Sequence, residues 1–437
     1  MSQLTFDEFC NALAIRFPED IREMGEYDFA ASASTLPAEI NFLSEKYIRN
    51  YYAWLGVKEA DVLPALLECA ALVSQSEPLK LYVWHAHRAL FLIEHPGCYF
   101  SAWPIPTEKL NGLEGAFELL IALSGVYLYE ESYCKIGLPV SYAQAATLWI
   151  GGAIGIYRAS HNGKPGICPR QTHWIRHYID QRLFRIGRFE FMTEKKSSEM
   201  PHLFRNRKTG RIVALCNENW CLTPNGLRML SGTPESEAAF ITSYREDAAT
   251  AKGILIDPTG FARYRDGEIE LDLREYESLV SPEDTIPGMH IPAGGHMTPE
   301  AVAESFALLR DFYRRYFHIE IKAINCFSWI FNPSFERELP QSNLAKFMRE
   351  VYLYPGPCYG KDGIFFAFGR DDGNLLDGTY PEDNSLRKAF FRIARAGEQF
   401  RCGGMFLLAD QFDTIGQQFY RSTFAIPGSE TAKRPIA

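Results

Sequence analysis

Apolar residues recur every three or four positions along the first part of the chain, which is the spacing of amphipathic helices. Thr5 and Glu8 mark the start of the first helix, because a Ser/Thr-x-x-Glu pattern satisfies backbone N–H groups there. Five further stretches with this spacing are Pro37–Gly56, Asp61–Ser76, Leu79–Glu94, Leu113–Tyr133 and Ser141–Arg158. The pattern therefore predicts an all-helical N-terminal domain over residues 1–165.

The pattern changes after about residue 180, where runs of β-branched and aromatic residues predict strands. The predicted strands are Arg182–Thr193, Arg211–Leu222, Pro287–Pro292, a segment within His318–Phe331, Ile364–Phe368 and Met405–Ala409. The helices predicted between the later strands are Pro299–Phe317, Ser342–Glu350 and Ser385–Phe400. Alternation along the first strand places Phe189 and Phe191 on one face. Arg188 and Glu190 share the other face.

Strands that alternate with helices predict helices packed on a mixed sheet. We expect this α/β domain to span residues 166–425, followed by a flexible polar tail over residues 426–437. The predicted fold class is thus α+β or α/β, with the helical domain first and the mixed-sheet domain second.

Composition narrows the class of protein. The 437 residues suffice for two to three domains, and the net charge of −9 argues against a dedicated nucleic-acid-binding protein. There is no secretory pattern and no apolar stretch of the ~20 residues that span a bilayer. We therefore expect a cytoplasmic protein without a membrane partner. The ten cysteines are dispersed and are predicted to be buried thiols.

The segment Thr285–Phe317 predicts a strand, a glycine pair and a well-signalled helix. Thr298 is a good N-cap, and Pro299 suits the first helical position. Backbone N–H groups at a helix start, reached through Gly294 and Gly295, form a ready anion site. A strand–Gly-Gly–helix junction can equally serve only as a tight turn. The loop matches neither a Walker A sequence nor a GxGxxG pattern, which disfavours nucleoside triphosphates and dinucleotides.

Several segments together resemble a known family. They are HIPAGG and its helix (His290–Phe317), NCFSWIFNP (Asn325–Pro333), LPQSNLAKFMREVYLYP (Leu339–Pro355), FRIGRFEF (Phe184–Phe191) and IDPTGFA (Ile256–Ala262). This set resembles bacterial proteins with a helical N-terminal acyltransferase domain and a GNAT-like C-terminal domain. The resemblance implies a GNAT-type fold that moves an acyl group from acetyl-CoA or a longer acyl-CoA. The acceptor would be an amine of a small molecule or peptide that attacks the thioester directly.

The resemblance also implies positions for the CoA. The strand His290–Pro292 would hold the pantetheine arm, and the loop Ala293–Met297 would hold the pyrophosphate. The CoA-contacting residues implied in this way are Ile291, Ala293, Gly294, Gly295, His296, Met297, Thr298 and Asn343. The sequence PAGGHM replaces the family's usual Gln/Arg-x-x-Gly-x-Gly/Ala loop, so a non-catalytic protein that binds CoA or another phosphate ligand is the alternative.

Three residues are candidates for the catalytic chemistry. His290 is placed to act as a base or to stabilise the oxyanion, and Glu190 could act through a water molecule. Ser342 could protonate the departing thiolate. Each has a structural alternative: a hydrogen-bonded histidine at a strand end, an ion pair of Glu190 with Arg188, and an N-cap at Ser342 or Asn343.

Other chemistries are disfavoured by the sequence. A covalent mechanism with Cys326 and His290 lacks a residue that would orient the histidine. His173 and His177 are four positions apart, but Trp174 stands where a zinc-binding helix carries glutamate. We therefore predict neither a covalent intermediate nor a metal site.

Overall fold

The protein is described by a computed structural model covering residues 4–57, 60, 62–93 and 100–427. The chain divides into two units. The first comprises the residues up to Arg185 together with Pro292–Gly294, and the second comprises Ile186–Ile291 and the residues from Gly295 onward. Most of the predicted tail, residues 428–437, lies outside the described residues. No helix in the described part of the chain is long and apolar enough to cross a bilayer.

The first unit is helical, as predicted. Its helices are α1 (Phe6–Leu13), α2 (Glu19–Glu26), α3 (Phe29–Ser34), α4 (Glu45–Tyr52), α5 (Val62–Ser74), α6 (Glu77–His87), α7 (Glu114–Ser124), α8 (Val126–Lys135), α9 (Val140–Arg158), α10 (Pro169–Thr172) and α11 (Ile175–Ile179). The predicted capping box is confirmed, because Thr5 Oγ1 accepts from the Glu8 N–H and the Glu8 carboxylate accepts from the Thr5 N–H.

Two helix predictions are wrong in detail. The helix predicted from Pro37 begins only at Glu45, because Ser44 provides the cap by accepting from the Tyr47 N–H. The stretch Leu113–Tyr133 forms two helices, α7 and α8, which meet at Gly125. A Cβ at Gly125 would lie 2.9 Å from the Phe91 ring, so a glycine is needed at this close approach.

Helix α7 is buried on every side from Gly115 to Ser124, and it carries Glu118 at its centre. The Glu118 side chain is 2% exposed, and its Oε2 has no hydrogen-bond partner among the described residues. Burial raises the pKa of Glu118 from its ordinary value of 4.5 to about 8. Between these pH values the folded protein retains a proton that the unfolded chain has released, so stability falls as the pH rises.

Replacing Glu118 with Gln should therefore stabilise the protein at alkaline pH. We expect little change in the free energy of unfolding near pH 3, where the carboxyl is protonated in both states. At pH 8 we expect a gain on the order of 3 kcal/mol. Urea unfolding of the wild type and the variant at the two pH values measures this difference in the free energy of unfolding. The exposed Glu108→Gln is the control, and a gain that is independent of pH would contradict the assignment.

The strands begin where the first unit ends. They are β1 (Leu183–Ile186), β2 (Phe189–Met192), β3 (His202–Asn206), β4 (Ile212–Leu215), β5 (Cys221–Leu222), β6 (Phe240–Ile241), β7 (Tyr244–Glu246), β8 (Thr250–Asp257), β9 (Phe261–Ala262), β10 (Glu268–Asp272), β11 (Tyr276–Ser278), β12 (Gly288–His290), β13 (Ala323–Ser328), β14 (Tyr352–Tyr359) and β15 (Arg401–Leu408). The helices that follow β12 are α12 (Pro299–Phe312), α13 (Pro333–Glu338), α14 (Asn343–Glu350), α15 (Asp362–Phe368), α16 (Ser385–Arg395) and α17 (Phe419–Thr423).

Six strands form a mixed sheet in the order β1-β2-β12-β13-β15-β14. Strands β12 and β13 pair in parallel, and α12 connects them. The neighbouring pairs β2–β12, β13–β15 and β14–β15 are antiparallel. The predicted mixed sheet with flanking helices is therefore confirmed.

A second sheet lies between β2 and β12 in the sequence and was not predicted as a sheet. Its main path is β10-β8-β4-β3-β11, and β7 and β9 also pair with β8. One hydrophobic cluster holds it together, and its buried members are Phe204, Val213, Leu215, Ala251, Leu255 and Leu271. These strands are short and several have charged residues on one face, so their pattern is weak when read one strand at a time.

Four predictions in this half of the chain need correction. Arg211–Leu222 is not one strand, because it forms β4 and β5, which belong to different sheets. Arg182–Thr193 is not one strand, because Gly187 (φ 60°) turns the chain between β1 and β2. The apolar run Ile364–Phe368, predicted as a strand, is part of helix α15. A short apolar run has the same pattern in a buried strand and in a buried helix, so the sequence does not distinguish these two structures. The edge strand β14 was not predicted.

Candidate functional site

The fold brings together two of the predicted catalytic residues. His290 is the last residue of β12, and it lies directly opposite Glu190 of β2 in the antiparallel register. Directly opposed residues have Cβ atoms about 5 Å apart on the same face of a sheet, which is within reach of a hydrogen bond. Glu190 is 1% exposed and His290 is half-buried. A carboxylate beside an imidazole can orient the ring and stabilise its protonated form.

The opposite face of β2 is covered by helices. The Phe189 ring stacks on Phe306 of α12 at 5.7 Å between centroids, and it lies 5.7 Å from Phe347 of α14. This packing fixes which face of β2 points toward the helices. Glu190, one position along, therefore points away from them, as the alternation in the sequence predicts.

The sheet opens beside His290. The parallel pair β12–β13 is joined at Gly288 and Asn325, where the Asn325 N–H donates to the Pro287 carbonyl at 3.1 Å. By contrast, β13 and β15 pair over six residues from Ala323 to Ser328. The pairing of β12 with β13 thus stops before His290, which leaves this histidine at the mouth of a gap between two parallel strands.

The chain leaves β12 through the predicted glycine loop. Gly294 (φ 81°) and Gly295 (φ 70°) both adopt the left-handed conformation, and both are exposed. A Cβ at Gly294 would meet no atom of the described residues within 4 Å, whereas one at Gly295 would lie 3.5 Å from Cδ and Nε of Arg188. The loop therefore offers open backbone with a guanidinium group next to it, which suits an oxyanion.

Helix α12 begins directly after this loop. Thr298 is its N-cap, as predicted, and its hydroxyl accepts from the Ala301 N–H at 3.3 Å. Among the other predicted CoA contacts, His296 is exposed, and Ile291 and Met297 are half-buried. The loop residue Ala293 is also exposed.

Ser342 lies on a different element from His290 and Glu190. It is the N-cap of α14, where its hydroxyl accepts from the Ala345 N–H and donates to the Leu339 carbonyl. Asn343 is the first residue of that helix. The single donor proton of the Ser342 hydroxyl is thus used locally.

Cys326 lies on the face of β13 opposite to His290. Asn325 pairs with Gly288 and shares the face of His290, so the next residue points to the other side. Cys326 is 4% exposed, and burial raises the pKa of its thiol. This geometry speaks against the covalent Cys–His mechanism that the sequence already disfavours.

A buried polar pair on the His290 face was not predicted. The Tyr354 hydroxyl donates to Asn325 Oδ1 at 2.7 Å, and both side chains are buried. Tyr354 lies over Gly404, where a Cβ would be 2.0 Å from the tyrosine ring. The paired glycines Gly403 and Gly404 within an apolar strand are the sequence signal that could have indicated this close approach.

In the first unit, helix α9 lies close to the backbone of the glycine loop at Gly152, which the sequence analysis did not predict. A Cβ at Gly152 of α9 would lie 3.1 Å from the Ala293 carbonyl oxygen. The signal for it is the Gly151–Gly152 pair, which is unusual in the interior of a helix.

A mixed sheet with one parallel pair, opened beside a glycine loop and a capped helix, defines a GNAT-like protein. The chain belongs to the family of the GNAT-like C-terminal domain, whose model matches residues 183–406. No curated protein is detectably similar to the chain.

Solved structures share this fold over nearly the whole chain. An acyltransferase in complex with CoA and 10C-teicoplanin is 17% identical, with a TM-score of 0.61 over 93% of this chain and 100% of that chain. An acyltransferase in complex with decanoyl-CoA and teicoplanin is 17% identical, with a TM-score of 0.59 over 92% and 99%. A mutant acyltransferase in complex with octanoyl-CoA is 16% identical, with a TM-score of 0.59 over 93% and 99%. At these identities the similarity concerns the fold alone.

Proposed function

We propose that the protein is an N-acyltransferase that moves an acyl group from acyl-CoA to an amine of a small molecule or peptide. The observation that carries this proposal is the pairing of His290 with Glu190 where β12 separates from β13. A thioester placed in that gap would lie beside the His290 imidazole, with the Glu190 carboxylate on the neighbouring strand.

The loop after β12 fits the pyrophosphate of CoA. Gly294 and Gly295 present backbone without side chains, and Arg188 lies beside the second of them. Thr298 caps α12, whose first N–H groups favour negative charge. The similar acyltransferases bind octanoyl-CoA and decanoyl-CoA, which supports an acyl-CoA as the donor substrate.

The reaction would proceed by direct attack. The amine nitrogen forms a bond to the thioester carbonyl carbon, and His290 takes the proton that the nitrogen loses. The C–S bond then breaks, and the thiolate receives this proton from the imidazolium, so that an amide and the free thiol of CoA are formed. Glu190 positions the imidazole. Ser342 is not needed as the acid, because its hydroxyl already serves as a helix cap.

The acceptor belongs to the class of amines. Similar structures contain teicoplanin, which supports an acceptor larger than a simple amino acid. We propose a peptide-like or small-molecule amine, with no nucleic acid and no metal in the reaction.

Calorimetric titration with acetyl-CoA and decanoyl-CoA tests the donor site. We expect micromolar binding by the wild type and at least about tenfold weaker binding by Gly294→Leu, because the side chain would occupy the space of the pyrophosphate. Gly210→Leu is the matched control, since Gly210 (φ 71°) also has no atom within 4 Å of an added Cβ. Equal affinity for acyl-CoA in Gly294→Leu and Gly210→Leu would show that the glycine loop does not bind the pyrophosphate.

The alternative is a protein that binds CoA or another phosphate ligand without turnover. The sequence PAGGHM in place of the usual family loop favours it. Release of free CoA thiol in the presence of an acyl-CoA and a panel of amines separates the two. Tight binding without thiol release for any amine would favour the alternative.

A further inference from the structure

The second unit contains a cleft of about 820 Å³ that is separate from the residues proposed to bind CoA. It lies where the chain leaves β13, and residues from the starts of α13 and β15 and from the end of α14 line it. No residue of β12 or of the glycine loop is part of its lining. We call it the Asn332 cleft, after the residue at the start of α13.

Asn332 holds a buried donor that the described residues do not satisfy. The residue is 2% exposed. Its Oδ1 accepts from the Ser334 N–H at 3.1 Å, which fixes the orientation of the amide. Its Nδ2 is buried and has no hydrogen-bond partner among the described residues. Because buried polar groups are almost always hydrogen-bonded, the Nδ2 donor lacks the acceptor that such a group normally has.

The charges of the lining favour a negatively charged ligand. Glu336 is held by two guanidinium groups, since Arg421 donates to both of its oxygens at 2.7 Å and Arg349 donates at 2.9 Å. Burial alone would raise the pKa of Glu336, but the two arginines outweigh it and hold the pKa below its ordinary value. This carboxylate is therefore ionised at neutral pH, and it balances one of its two arginines.

The other charged residues of the lining add one further positive charge. Glu398 accepts from Arg337 and from the Ser334 hydroxyl, each at 2.7 Å. Arg401 donates to the Arg228 carbonyl and to Gln399 Oε1. The cleft thus presents four arginines against two glutamates, although the chain as a whole carries a net charge of −9.

We propose that the Asn332 cleft binds an oxyanion, a carboxylate or a phosphate, carried by a small molecule. Asn332 Nδ2 donates to one oxygen of the anion, and the guanidinium groups of the lining supply the charge complement. A volume of about 820 Å³ leaves room for more than the anionic group alone. The proposal does not rest on the acyltransferase function, because it involves other residues and requires no thioester.

Thermal unfolding in succinate and in inorganic phosphate, against chloride at equal ionic strength, tests this site. A ligand that binds the folded state raises Tm as its concentration increases. We expect the Tm of the wild type to rise with the concentration of at least one of the two anions. A response to succinate alone assigns a carboxylate, and a response to phosphate alone assigns a phosphate.

Asn332→Asp is the diagnostic variant. It keeps the oxygen that caps Ser334, but it replaces the Nδ2 donor with a carboxylate oxygen that repels the anion. We expect at least about a tenfold loss of anion affinity. Asn332→Ser retains a helix cap without adding charge. It is the second variant in which anion affinity is measured if the aspartate variant does not fold.

Two controls separate this site from general effects. Arg274→Gln removes a positive charge from a side chain that is 89% exposed, and it should leave the anion response unchanged. In Gly294→Leu, the part of the anion response that Asn332→Asp removes should persist, which separates the cleft from the proposed pyrophosphate loop. Stabilisation by neither anion in the wild type would overturn the proposal. So would a response that persists unaltered in both Asn332 variants, because that is the behaviour of a nonspecific salt effect.

Discussion

His290→Gln is expected to lower kcat for acyl transfer by about 10²- to 10⁴-fold, which is the usual contribution of a general base. The affinity for acyl-CoA should change little, because Gln is similar in size and the glycine loop is intact. Thiol release measured with a saturating acyl-CoA, together with calorimetric titration of acyl-CoA, provides both readouts.

Glu190→Gln tests whether the carboxylate works through the histidine. We expect a smaller loss of rate, on the order of tenfold to a hundredfold, and little further loss when it is added to His290→Gln. The exposed His318→Asn is the control, since asparagine also tolerates the left-handed backbone (φ 56°) at that position. A His290→Gln rate within about threefold of the wild type would make the pair a structural feature of the sheet.

Gly151→Ala is expected to destabilise the first unit by about 3 kcal/mol or more. A Cβ at Gly151 of α9 would lie 2.0 Å from the backbone carbonyl oxygen of Leu55, in the short 3₁₀ turn Ala53–Leu55. A backbone atom cannot rotate away as a flexible side chain can. The helix would therefore have to move as a whole, which would disturb the packing of its buried face.

Gly155→Ala on the same helix is the matched control. An added Cβ there meets no atom within 4 Å, and alanine is the better helix former by about 1 kcal/mol. We therefore expect opposite signs for the two substitutions when the free energy of unfolding is measured in urea. A Gly151→Ala variant that is as stable as the wild type would contradict the close approach to Leu55, and an equal loss in Gly155→Ala would show that the effect is not specific to Gly151.

Much of the local structure follows from short-range patterns. The caps at Thr5 and Thr298 are confirmed because their partners lie three residues away in the sequence. Helix α9 runs from Val140 to Arg158, within one residue of its predicted start. The alternation of Phe189 and Glu190 also places the two side chains on the predicted faces of β2. Such features depend on neighbours along the chain, which the sequence displays.

Ambiguous patterns were decided by packing. The apolar run from Ile364 to Phe368 suits either a strand or a helix, and it forms α15, which ends at Gly369 in the left-handed conformation. Strand β14 was missed because its pairing partner, β15, begins more than forty residues later in the sequence. Pairing over such distances leaves little signal in either segment alone.

The sequence by itself determined the helical first part, the later mixed-sheet domain, the glycine loop with its capped helix and the candidacy of His290 and Glu190. Only the tertiary structure decided that these two residues face each other, because one hundred positions separate them and the strand register sets their distance. It also decided that Ser342 is the cap of a helix and that the Nδ2 donor of Asn332 has no hydrogen-bond partner among the described residues. Hydrogen-bond satisfaction and charge balance depend on all the neighbours of a group in space, and most of those neighbours are distant in the chain.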